Sequence, residues 1–148
     1  VNTVDLKSEK FYSSVSTTYF ALCHPDLFAS FIKLYIVPQK KLFIGSIDKS
    51  TIEKLIGDVH YYVQVPNRDA YSTINDWWPK VLDCIDNVSL VIPAAGIAGR
   101  AVQKRLWNLK KDLHSIELGC IVDSIAGLET RSWMSRVKPQ AEKLLSLI

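Results

Sequence analysis

The chain has 148 residues, 48% of them hydrophobic and 22% charged, with a net charge of +3 and three cysteines. That composition excludes intrinsic disorder, which needs low hydrophobicity and high net charge, and the length suits one domain with a sizeable core. No apolar run approaches the roughly 20 residues of a membrane helix, and a charge this small does not argue for nucleic acid as a partner. Cys23, Cys84 and Cys120 make neither a disulfide framework nor a CxxC pair. They read as reduced core residues in a cytoplasmic setting. Val1 stands without an initiator Met, a signal peptide or a targeting segment, so the chain is expected to be a piece of a longer protein.

Residues 1–40 read as a helical lead-in. Leu6, Phe11, Val15, Tyr19 and Leu22 fall near helical spacing, and His24-Pro25-Asp26 interrupts them. A second helix is expected from Pro25, a residue tolerated in a first turn, with Leu27, Phe28, Phe31 and Ile32 on one face and Pro38 ending it. From Lys41 the pattern changes. Four apolar runs, LFIG at 42–45, VHYYVQV at 59–65, VSLVIP at 88–93 and HSIELG at 114–119, alternate with helical patterns. Such alternation predicts βα units and a mostly parallel sheet of at least four strands with helices on both faces, an α/β, Rossmann-like domain.

The strongest helical stripe is Ala70, Ile74, Trp77, Trp78, Val81, Leu82 and Ile85, with Pro79 inside it. A kink or restart is expected there, with Asp76 as cap. A further helix over 97–110 is expected to bury Ile97, Ala98, Ala101, Val102, Leu106 and Leu109, and a last one to cover 139–147. In open parallel sheets ligands bind beyond the carboxyl ends of the strands. That rule selects Gly45-Ser46, Pro66-Asn67-Arg68, Ala94-Ala95-Gly96 and the stretch 119–123.

PAAGIAGR at 93–100 has the small residues that let a backbone approach a ligand, at a helix start able to hold an anion. It lacks both the GxGxxG fingerprint and the GK[ST] of a P-loop, so a simple tight βα turn explains it equally well. VPNRDAY at 65–71 is a second such turn, with Asn67 or Asp69 as cap and Asn67 and Arg68 as candidate ligand contacts. Arg100, Lys104, Trp107 and Lys111 share a helical face, flanked by Arg105 and Lys110, and are expected to be simply solvated. His24, His60 and His114 have no ligand spacing, and no Ser sits in a GxSxG elbow. No Asp opens a DxD or DxE pair, the arrangement that holds a divalent cation against a diphosphate.

Taken in order, FIGS, VPNRDAYSTIND, LVIPAAGIAGRAVQKRLW, SIELGCIVD and ETRSW resemble the C-terminal half of the GT-D-type glycosyltransferases, across residues 41–133. The resemblance implies a transferase that takes a nucleotide-sugar donor and a glycan acceptor in surface polysaccharide assembly. Gly45 and Ser46 match the family's first loop, Pro66 and Asn67 its second, and Ala94, Ala95 and Gly96 its small-residue turn. Asp123 matches the acidic residue after the last strand, the candidate catalytic base of an inverting reaction, and Arg131 with Trp133 would line the same mouth. Two departures stand out. The family's metal-binding DxE is absent from this chain, so Mn²⁺ or Mg²⁺ is implied only if such a segment lies upstream. Glu117 replaces the aspartate of the last strand. The competing reading is a non-catalytic nucleotide-binding or assembly module. An oxidoreductase or methyltransferase on the same scaffold ranks last, because no Gly-rich loop is followed by a ribose-binding acid.

Overall fold

The computed structural model describes residues 16–109, 112–128 and 130–148. Helices α1 (Ser16–Cys23) and α2 (Pro25–Phe31) come first. A wider turn over Ile32–Ile36 continues α2, with the Val37 N–H bonded to the Ile32 carbonyl at 2.9 Å. Strand β1 (Lys41–Gly45), α3 (Lys49–Ile56), β2 (Tyr61–Gln64), α4 (Ile74–Ile85), β3 (Leu90–Ala94), α5 (Ile97–Leu109) and β4 (His114–Ser115) then alternate. Helix α6 (Gly119–Ile125), a 3₁₀ turn over Met134–Val137 and α7 (Lys138–Leu147) complete the described chain. The residues of the lead-in before Ser16, with Leu6, Phe11 and Val15, lie outside the described residues, as do Lys110, Lys111 and Glu129.

The four strands form one all-parallel sheet in the order β2-β1-β3-β4, the architecture that the alternating runs predict. Successive side chains of a strand point to opposite faces, and the core divides accordingly. Leu42, Ile44, Val63 and Val91 pack beneath α4 and α5. Phe43, Leu90 and Ile92 pack on the other face against α2, α3, α6 and α7. The handedness of crossovers explains this division. A right-handed β-α-β connection places its helix on one face or the other according to which way the chain steps across the sheet. The step from β1 to β2 runs one way and carries α3; the steps to β3 and β4 run the other way and carry α4 and α5. The chain reverses direction between β1 and β3, so a crevice opens beyond their carboxyl ends.

Several helices differ in register from the sequence expectation. In α2 the buried stripe is Phe28, Ile32 and Ile36, while Leu27 is exposed. Helix α4 runs without restart through Pro79, is capped by Thr73, and holds Asp76 in its first turn. Burying Ile74, Trp77, Val81 and Ile85, at about 1.5–3 kcal/mol for each large side chain, outweighs the roughly 3 kcal/mol cost of an interior proline. In α5 the buried residues are Ala98, Gly99, Val102 and Leu106, whereas Ile97 and Leu109 face solvent. The small Ala98-Gly99 pair faces β3, where a Cβ on Gly99 would stand in ordinary contact 3.6 Å from Cβ of Pro93. Strand β4 is shorter than its apolar run, ending once the Ile116 N–H has bonded the Val91 carbonyl at 3.1 Å. The three cysteines are free, but Cys23 is exposed and the other two half-buried, not core residues as expected. Among the described residues no helix is long and apolar enough to cross a membrane.

Candidate functional site

At the end of β1, Gly45 lies in the core. A Cβ on it would come within 2.6 Å of the Phe43 ring, so glycine is required by packing, and the residue sits below the crevice without lining it. The next residue, Ser46, does line it, and its hydroxyl donates to Oδ1 of Asn67 at 3.3 Å. That bond ties the loop after β1 to the loop after β2. The hydroxyl of Tyr62 donates to the Ile47 carbonyl at 2.7 Å and holds the same loop from beneath.

The loop after β2 brings Pro66, Asn67, Asp69 and Tyr71 to the crevice. Asp69 adopts φ 56°, the left-handed conformation that aspartate tolerates better than most side chains. Neither Asn67 nor Asp69 caps α4; Thr73 occupies that position. Arg68 is exposed and does not line the crevice, so its candidacy as a ligand contact is not supported by its position.

Beyond β3, Ala94, Ala95 and Gly96 form the turn into α5 and line the crevice. Gly96 has φ +56°, and a Cβ there would meet nothing within 4 Å, so the backbone is open to any molecule in the crevice. The first turn of α5 lies beside it with the positive dipole end of a helix start, its Ala98 and Gly99 N–H groups already bonded to the carbonyls of Ala95 and Gly96 at 3.1 and 3.0 Å.

Beyond β4 come the two carboxylates. Asp123 lies on α6, not in a loop, and accepts a hydrogen bond from the Thr130 hydroxyl at 2.8 Å. Burial raises its pKa above the usual aspartate value, with the Thr130 hydroxyl and the Arg131 charge opposing. Glu117 is shifted upward too, by burial against the opposing Arg100 charge. Gly119 and Gly99 lie beside it, where Cβ atoms would stand in ordinary contact 3.7 and 3.9 Å from its Oε1.

The crevice has two lobes. The larger, about 380 Å³, lies between Ser46, Asn67, Asp69, Ala95, Thr130 and Arg131. The smaller, about 190 Å³, is walled by Thr17, Thr18, Arg100, Glu117, Gly119 and Cys120. Ala94, Gly96, Ile97, Asp123 and Arg131 border both. The structure thus brings Ser46, Pro66, Asn67, Ala94, Ala95, Gly96, Asp123 and Arg131 together, and leaves out Gly45 and Arg68. Trp133 stacks on Tyr19, ring centroids 6.5 Å apart, and is not among the residues of the mouth. Arg100 and Glu117 were not singled out as site residues by sequence. Their signal was present in the position of Arg100 one turn beyond Gly96 and of Glu117 at the end of the fourth run.

Among the described residues no group of three His, Cys, Asp or Glu could hold a metal ion. The two cleft carboxylates each stand near an arginine, a donor set poorly matched to the several oxygens a divalent cation requires. Protein-family models, curated proteins and solved structures were all compared with this chain, and none matches.

Proposed function

We propose that the chain is a nucleotide-sugar-dependent glycosyltransferase, or the C-terminal portion of one, acting on a glycan acceptor in surface polysaccharide assembly. The observation that carries this reading is the convergence of the β1, β2 and β3 loops with Asp123 of α6 on one crevice. The ordered resemblance of residues 41–133 to the GT-D enzymes adds the substrate class.

In this reading the donor diphosphate lies on the Gly96 turn at the α5 N-terminus, with Arg131 opposite. Helix starts favour anions for the reasons given above, and an arginine fork adds charge-assisted hydrogen bonds. Asp123 takes the proton of the acceptor hydroxyl as its oxygen bonds to the anomeric carbon. The bond from that carbon to the diphosphate breaks, and the nucleoside diphosphate leaves with the electron pair. A raised carboxylate pKa suits a general base working nearer neutrality. Sugar and acceptor would divide the two lobes, which meet at Asp123.

The test is a thermal-shift screen of nucleoside diphosphates and nucleotide sugars, with and without Mn²⁺ or Mg²⁺, followed by a transfer assay. A nucleotide sugar that raises the melting temperature and is consumed with an acceptor supports the proposal. Binding without turnover favours the alternative, a non-catalytic nucleotide-binding module, which the missing DxE supports. No nucleotide binding removes both. The free cysteines fit a cytoplasmic location, and nothing in the charge calls for nucleic acid as a partner.

A further inference from the structure

The exposed face of α5 carries an unusual pair of apolar side chains. Ile97 is 75% and Trp107 72% exposed. At 100° per residue they lie on the same side of the helix as Arg100 and Lys104. Helix α5 contains no acidic residue, and Lys110 and Lys111 follow it in the sequence. The neighbouring elements fix the direction of this stripe. Arg105 reaches α4, donating to Oδ1 of Asn75 at 3.2 Å and lying 5.1 Å over the Trp78 ring. Gln103, on the opposite flank, donates to the Ser115 hydroxyl of β4 at 3.4 Å. Arg100, Lys104 and Trp107 lie roughly 100–160° round the helix from Arg105. They therefore point away from α4, whose surface carries the exposed Asp76 and Asp83.

We infer that this face of α5 docks the crevice on an anionic phospholipid surface. Charge complementarity selects the partner: Arg100 and Lys104 meet lipid phosphates, whereas Ile97 and Trp107 gain by entering the headgroup boundary. Trp is favoured at the headgroup level of a bilayer, where the charged ends of long Lys and Arg side chains snorkel toward water. A nucleic acid would satisfy the charges but give Ile97 no apolar environment. Ile97 also borders both lobes of the crevice, so docking through it sets the crevice mouth at the lipid surface. The acceptor is then a glycan carried on a membrane lipid; that identity rests on the transferase reading, while the docking itself does not.

The test is co-sedimentation of the 148-residue chain with vesicles of phosphatidylcholine alone, or mixed with phosphatidylglycerol. The chain is expected to sediment with the mixed vesicles only, and to be released by added salt. Each basic residue near an anionic surface is worth about fivefold in partitioning, so Lys104→Glu, a change of two charges, should lower it roughly twenty-five-fold. Trp107→Ser should reduce it further with the melting temperature unchanged, since Trp107 is mostly exposed. Equal binding to both vesicles, no binding, or unaltered binding by the two variants overturns the proposal. So does binding of an RNA oligonucleotide with the same dependence on Lys104 and Trp107 while vesicles are left free. A nucleotide-sugar thermal shift on the same preparation separates the two readings. Vesicle binding without a shift fails only the donor site, and a shift without vesicle binding fails only the docking.

Discussion

In the proposed transferase Asp123 and Gly96 would have separable duties, and substitutions divide them. Asp123→Asn keeps an oxygen to accept the Thr130 hydroxyl but cannot take a proton. It should spare nucleotide affinity and lower transfer by about 10²–10⁴-fold, the usual contribution of a general base. The pH profile should carry the same mark. Because the pKa of Asp123 is raised, the rate rises with pH through a limb above the ordinary aspartate range, and Asp123→Asn abolishes that limb. The sign for stability is opposite. A carboxyl with a raised folded pKa binds more protons folded than unfolded, so stability falls as pH rises through that window. Asp123→Asn should therefore melt higher than the parent chain at neutral pH, by calorimetry. Gly96→Val places a branched side chain into the crevice at φ +56° and should weaken nucleotide binding at least tenfold. Gly45→Ala acts differently, forcing a Cβ against the Phe43 ring. It should cost about 1–3 kcal/mol in chemical denaturation, the range for overpacking, with most of the loss recovered by pairing it with Phe43→Leu.

At the scale of elements, the strands were more legible than the helix faces. A central parallel strand is buried on both sides, so β1 and β3 announce themselves as continuous apolar runs whatever their neighbours. A helix face depends on what it packs against, and α5 shows the consequence. Its apolar residues permit two stripes, and the one that packs Ala98, Val102 and Leu106 inward leaves Ile97 outside. The end of β4 was misread for a related reason. Ile116, Leu118 and Ile121 are apolar because they pack beneath the helices, although only His114 and Ser115 belong to the strand. Asp123 was thus found on a helix where a loop was expected. Nor did any sequence pattern mark Lys41, a fully buried lysine at the start of β1 whose Nζ donates to the carbonyls of Val37 at 3.1 Å and Asp58 at 2.9 Å. Burial lowers its pKa, with Asp58 and Glu53 opposing. A lowered folded pKa means that the unfolded chain binds more protons there, so stability should rise with pH through the window below 10.5. Lys41→Met should remove that alkaline slope in urea titrations at successive pH values.

For the whole molecule, the sheet order explains why residues so distant in sequence share one crevice. The reversal between β1 and β3 opens the layer at the carboxyl edge, and α6 returns over the opening with Asp123. Eight of the candidate residues named from sequence line this space: six because parallel strands deliver their following loops to the same edge, and Asp123 and Arg131 because α6 and the segment after it return there. The arginine and glutamate of the smaller lobe, Arg100 and Glu117, needed the folded chain to bring them together. The proposed transferase requires the crevice to hold the diphosphate of a nucleotide sugar on the Gly96 turn. Calorimetric titration of nucleotide sugars into the parent chain and into Gly96→Val tests this. Saturable binding to the parent, weakened at least tenfold by Gly96→Val, is the predicted result. Absence of binding to the parent, or equal affinity for both chains, would contradict it.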